Sequence, residues 1–337
     1  MRNCRITDQY QKKGLDVVIL ENAHLRVEVL AGKGADITEI RDKRTDTNIL
    51  FEAPHEWRSP AQGPIGGHDD HFRFLDHYPG GWQDVLPGAG GPSTIHGAPL
   101  ALHGEATLVP WDAIIVEDTV DRVCVRLETS LTRYPLQITR ELSLKAGQSS
   151  LIVTESVRNQ SEVAVDYSWL QHIALGEPLI SPEASLSVPC DTVLVDPDHD
   201  IPEARFPAGE TFEWPICEFD GQEVDLRSFP PKSERVHDLV VLTDLKEGCY
   251  TVENPEINLG VNVVFPEDLF EYLWYWQPFG GFTEAPFFGR NYNIGLEPST
   301  SIPNAGLKEA IENGTANCLP GGSTETFTIE CTTHSIT

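Results

Sequence analysis

"VCVRLETS" at 123–130 and "LQITRELSL" at 136–144 decide the fold. Val123, Val125 and Leu127 alternate in the first run; Leu136, Ile138, Leu142 and Leu144 share one face of the second. Successive side chains of an extended backbone point to opposite faces, so each run reads as a strand with one apolar face. "LIVTESV" (151–157) and "VAVDYSW" (163–169) repeat the habit. The turn formers "KAGQSS" and "RNQSE" separate them. Residues 120–172 are therefore predicted to be a meander of four antiparallel strands.

The same period of two opens the chain, in "LRVEVL" and "DITEIRD" around an "AGKGA" turn, and closes it in "TFTIECT". Only "NAGLKEAIENG" (304–314) reads as a helix, with Gly314 suited to its C-terminal end. The 25 Pro and 27 Gly are spread along the chain, the texture of a many-stranded protein with long loops. Region 181–236 is rich in Pro and acids but keeps short apolar pieces, so it reads as excursions from a sandwich and not as a linker. The expectation is an all-β antiparallel sandwich, one domain over residues 1–337.

The formal net charge of −28 argues against nucleic acid and anionic membrane surfaces as partners, since both require a surplus of Lys and Arg. The seven cysteines are widely spaced and no CxxC occurs, so free thiols are expected. No apolar run approaches a membrane span, and "MRNCRITDQYQKKGLDV" has no signal-peptide core. A cytoplasmic protein is expected, as monomer or homodimer.

Three stretches concentrate polar groups in apolar or Gly-rich surroundings. The long loop 79–111 carries His96-Gly97 and His103-Gly104, and Gly beside a polar residue lets backbone approach a ligand closely. "YSWLQHIALGEP" (167–178) places His172 on the face opposite Tyr167 and Trp169. Read locally, His172 is a hydrogen-bonded structural histidine at least as readily as a catalytic one. "YLWYWQPFGG" (272–281), followed by "GRNYNIGLEP" (289–298), sets aromatic rings beside amides. Such surfaces suit sugars, which are apolar on C–H and polar on O–H. "HDDHF" (68–72) with His77 is a weak metal signal without a third ligand at helical spacing, and no metal is assigned.

Taken jointly, "GGWQDVLPGAG", "HGAPLALHGEATLVPW", "YSWLQHIALGEPLI", "WYWQPFGG" and "YNIGLEP" resemble the aldose 1-epimerase (galactose mutarotase) family over most of the chain. The resemblance implies a galactose mutarotase-like supersandwich and an isomerase of carbohydrate metabolism. It further implies His103 as a substrate contact, His172 as general acid and Glu297 as general base. Trp82, Asp84, Gln171, Trp276, Gln277 and Arg290 are candidates for the sugar-binding wall, with Asp84 alternatively orienting His103. The Asn-Arg substrate motif of the galactose enzymes is replaced here by "GGHDDHFRFLDHYPGGWQD" (66–84), so the sugar stays open.

The implied chemistry suits these residue types. A base at the C1 hydroxyl and an acid at the ring oxygen open a cyclic hemiacetal, rotation follows, and reclosure gives the other anomer. No redox cofactor is needed. Pro298 holds the backbone of Glu297 extended. A carboxylate facing an imidazolium is expected to stabilise both charged forms. Two alternatives remain: a carbohydrate-binding protein without turnover, and an isomerase or epimerase acting at another carbon.

Overall fold

In a computed structural model, which describes residues 3–63, 70–196, 201, 204–303 and 306–336, the chain is almost entirely β. A 12-stranded and an 8-stranded sheet dominate, with antiparallel strand pairing throughout both. Apolar residues of both sheets, among them Val27, Ile37 and Ile173 from the larger and Val125, Leu142 and Ile329 from the smaller, form one core cluster. Each fully buried aliphatic side chain of this kind contributes roughly 1.5–3 kcal/mol.

The predicted meander is real in three of its four strands and shifted by one. Asp112–Asp118, Arg122–Ser130, Leu136–Lys145 and Ser150–Asn159 lie side by side at one end of the smaller sheet. The next neighbour of Ser150–Asn159 is the late strand Thr324–His334, not the "VAVDYSW" segment. That segment contributes only Val165–Tyr167, which pairs with Asn317–Leu319, before the chain crosses over as Leu170–Gly176 into the larger sheet. The region 181–236 adds Ser185–Ser187 to the smaller sheet, Thr192–Val195 and Thr211–Glu213 to the larger, and a hairpin of Ile216–Phe219 with Gln222–Asp225. The predicted helix is present but short, Leu307–Glu312, and a second one-and-a-half-turn helix spans Asp70–Leu75.

The middle of the larger sheet positions the site. Its central order is Trp82–Val85, Leu170–Gly176, Asn293–Ser299, Tyr272–Phe279, Val236–Thr243. Every residue of the first three strands is buried. One face packs on the smaller sheet, and the other is covered by the loop and aromatic segments around 74–78, 100–104 and 282–287.

Candidate active site

The register of two strands brings the candidate acid and base together. Leu170 pairs with Ser299 and Ala174 with Gly295, which sets His172 opposite Glu297 across antiparallel neighbours. Facing positions on one side of such a pair bring side chains into contact. His172 Nε2 lies 3.7 Å from Glu297 Oε1, with the residues 5% and 2% exposed. Trp274 stands opposite Glu297 on its other side, and Gln83 opposite His172.

These groups open onto a cavity of about 320 Å³. Phe74, Tyr78, Trp274, Trp276, Phe282 and Phe287 supply its aromatic wall; His71, His103, His172, Asp196 and Glu297 supply side-chain polar groups. No Lys or Arg lines it among the described residues. The His103 ring sits 5.2 Å from that of His172 and edge-on to Phe74 at 4.7 Å. His103 takes a left-handed backbone, φ 58°, unusual for a residue with a Cβ. Gly104, φ 72°, follows; a Cβ there would meet the Leu86 carbonyl oxygen at 2.3 Å. The His-Gly pair thus turns the loop tightly against Leu86 and aims the imidazole inward. His103 Nδ1 is buried and without a hydrogen-bond partner among the described residues. Trp276 Nε1 donates to His237 Nε2 at 3.0 Å, which leaves the His237 proton on Nδ1, and the His237 ring stacks on Phe282.

Burial governs the electrostatics. Desolvation raises the Glu297 carboxyl well above its ordinary range. The same cause lowers His172 to about 4, with Lys33 adding to the effect. His103 is held well below the usual histidine range by burial, then by His172 and His71. Burial, with Glu297 and Asp36 nearby, pushes the Tyr78 phenol well above its normal value. The charge pair expected from sequence is therefore opposed by burial, which drives each partner toward its neutral form.

Five sequence candidates do not line this cavity. Trp82, Asp84 and Gln171 point to the opposite, inter-sheet face. There Trp82 Nε1 donates to Gln171 Oε1 (2.7 Å), and Gln171 Nε2 to Asp84 Oδ1 (3.0 Å) and Glu155 Oε2 (2.9 Å). Asp84 also accepts from Trp169 Nε1, and Glu155 pairs with the fully buried Arg140. Gln171 neighbours His172 in a strand, so the pleat sends the two apart. Asp84, on the far face, does not orient His103. Gln277 is separated from Trp276 by the same rule; its Oε1 accepts from Arg205. Arg290 donates to the carbonyls of Pro54, Pro286 and Phe287, stapling the Phe287 segment beside a separate cleft. Of the nine candidates, His103, His172, Trp276 and Glu297 share the cavity.

Sequence reasoning missed Phe74, Tyr78, Asp196, Phe282, Phe287 and His237. The spacing of Phe74 and Tyr78 behind "HDDHF" was a usable signal; Asp196, the residue after a short strand, had none. In the metal candidate, His68 and Asp69 lie outside the described residues, as does the Asp70 side chain. His77 Nδ1 donates to the Arg58 carbonyl. No group of three His, Cys, Asp or Glu is placed to hold a metal among the described residues.

The two-sheet antiparallel architecture is similar to that of solved structures described as aldose 1-epimerase candidates and galactose mutarotase-like proteins. A candidate aldose 1-epimerase from Klebsiella pneumoniae superposes with a TM-score of 0.74 at 17% identity, over 98% of this chain and 83% of that one. A galactose mutarotase-like protein from Clostridium acetobutylicum gives 0.65 at 13% over the whole of both chains. One from Lactobacillus casei gives 0.62 at 16%, over 94% of this chain and all of that one. At such identities the likeness shows the fold alone. By sequence, the chain belongs to the family described as a domain of unknown function, DUF4432, whose profile matches residues 12–333. No curated protein matches it.

Proposed function

We propose that the protein is an aldose 1-epimerase acting on a neutral free sugar, with His172 and Glu297 as its acid/base pair. The observation that carries this reading is the 3.7 Å approach of the two groups in a cavity walled by aromatic rings. Aromatic faces suit the C–H side of a pyranose, and a cavity near the small end of the usual range suits one sugar unit. A lining without Lys or Arg, among the described residues, favours a neutral sugar over a sugar phosphate.

Ring opening uses the tautomer with the proton on His172. Glu297 takes the C1 hydroxyl proton, His172 gives its proton to the ring oxygen, and the C1–ring oxygen bond breaks to leave the aldehyde. The pair is then neutral, the state that burial favours. After rotation about C1–C2, His172 recovers the proton of the ring hydroxyl as its oxygen attacks the carbonyl, and Glu297 protonates the new C1 oxygen. The pair returns to its starting tautomer, and no proton is exchanged with bulk. His103 donates or accepts at the ring oxygen or a neighbouring hydroxyl.

The test is anomer exchange by NMR across free aldoses and aldose phosphates, with and without the protein. Catalysed exchange of a free aldose is expected. Binding without exchange would replace the enzyme by a carbohydrate-binding protein, and exchange confined to phosphates would overturn the neutral-sugar assignment.

A further inference from the structure

Glycine inside a fully buried central strand weakens it and leaves space unfilled. Gly295 is such a residue, in the middle of Asn293–Ser299, where all seven positions are buried. Its backbone does not require glycine, because its φ lies outside the left-handed region. The space beside it does. A Cβ built on Gly295 would lie 2.0 Å from Glu297 Oε1, 3.0 Å from its Cδ and 3.2 Å from the Trp276 Cβ. Residues two apart in a strand share a face. The Glu297 side chain therefore folds back along its own strand and rests its carboxyl in the place a residue-295 side chain would take. That is also where Oε1 meets His172 Nε2.

We propose that Gly295 is a positioning residue: its missing side chain is the seat of the Glu297 carboxyl, and any Cβ there drives the carboxyl off His172. The inference rests on the reading of Glu297 and His172 as the acid/base pair. It also explains why the acid stands in "GLE": the glycine two residues earlier is part of the device. The seat fixes how far the carboxyl reaches into the cavity, so the length of residue 297 and the bulk of residue 295 are coupled.

The experiment is a double-mutant cycle of Gly295→Ala and Glu297→Asp. Anomer exchange is followed by NMR on D-glucose, D-galactose, D-xylose and L-rhamnose, with Glu297→Gln as control. Gly295→Ala is expected to lower kcat by ~10²-fold, the scale of a displacement of about 1 Å, with KM changed little. Glu297→Asp alone also loses activity. Combined with Gly295→Ala it is expected to recover about tenfold over Gly295→Ala alone, because the shorter side chain clears the new methyl. Losses that multiply, or wild-type kcat in Gly295→Ala while Glu297→Gln is inactive, overturn the role of Gly295 alone. Wild-type exchange in Glu297→Gln, or no exchange by the wild type, overturns the acid/base reading beneath it. A readout independent of turnover is the carboxyl 13C titration of Glu297 in the folded protein. In Gly295→Ala its midpoint should fall back toward ordinary carboxylates, and an unchanged midpoint overturns the proposal. Should Gly295→Ala fail to fold alone, the Glu297→Asp background, which leaves room for the methyl, carries the same comparison: adding Gly295→Ala there must not lower kcat further.

Discussion

His172 and Glu297 face each other across adjacent antiparallel strands, Nε2 and Oε1 3.7 Å apart. Each is desolvated, so each is driven toward its neutral form. In the proposed reaction, one titratable proton of the pair is the quantity that moves. Its loss or duplication should stop the reaction.

The pH–rate profile should accordingly be a bell with limbs belonging to the pair. Activity falls on the acid side near pH 4, where His172 gains a second proton for the pair. It falls on the alkaline side above the ordinary carboxylate range, where Glu297 loses the last one. Unperturbed groups would confine the plateau to about pH 4.3–6.5. Measuring kcat/KM against pH distinguishes the two, since a plateau of that narrow width would contradict a pair governed by burial.

Glu297→Gln should lower turnover by ~10²–10⁴-fold with little change in sugar affinity. His172→Asn should do likewise. Because the two act as a unit, the double variant should be little worse than the worse single one. Exchange rates that drop multiplicatively would show two independent functions.

Stability against pH carries opposite signs for the two groups. Glu297 has a raised folded pKa, so its contribution is present below about pH 4.3 and is lost as pH rises toward that folded value. Glu297→Gln removes this slope, so its melting temperature should gain on the wild type with rising pH. His172 has a depressed folded pKa, so its contribution is present above about pH 6.5 and lost as pH falls toward 4. A shift of that size corresponds to about 3 kcal/mol across the window. His172→Asn should flatten the acid side of the melting curve, and an unaltered acid slope would place His172 in water.

Trp276→Ala should raise KM more than it lowers kcat, because the ring is wall and not reactant. Trp276→Phe keeps a face but loses the indole bond to His237, and it should fall between wild type and Trp276→Ala. Equal KM in all three would remove Trp276 from the sugar contact.

Asp84→Ala should act on stability instead of catalysis. It strands the Trp169 and Gln171 donors in the inter-sheet core, each unsatisfied group costing about 1–3 kcal/mol. Denaturant melts should report the loss while KM stays unchanged in the folded fraction. A selective rise in KM would instead return Asp84 to the sugar wall.

The sequence by itself determined the strands with one wet face. In Leu136–Lys145 and Ser150–Asn159, burial alternates along most of the strand as the letters do, because solvent on one side forces polar residues there. It also set His172 and Trp169 on opposite faces. The strands carrying the site offered no such contrast. Trp82–Val85, Leu170–Gly176 and Asn293–Ser299 are buried on both sides, so polar residues occur on either face, and nothing local says which face is core. For that reason Gln171 and Asp84 stood as weaker candidates for the sugar wall beside His172, though the pleat forbids neighbours in a strand from sharing a cavity. Only the tertiary structure decided the register that sets His172 against Glu297 and the aromatic cover from Phe74, Tyr78 and Phe287. It also decided the desolvation that drives the pair toward neutrality, because both charge state and proximity depend on what the rest of the chain places around a residue.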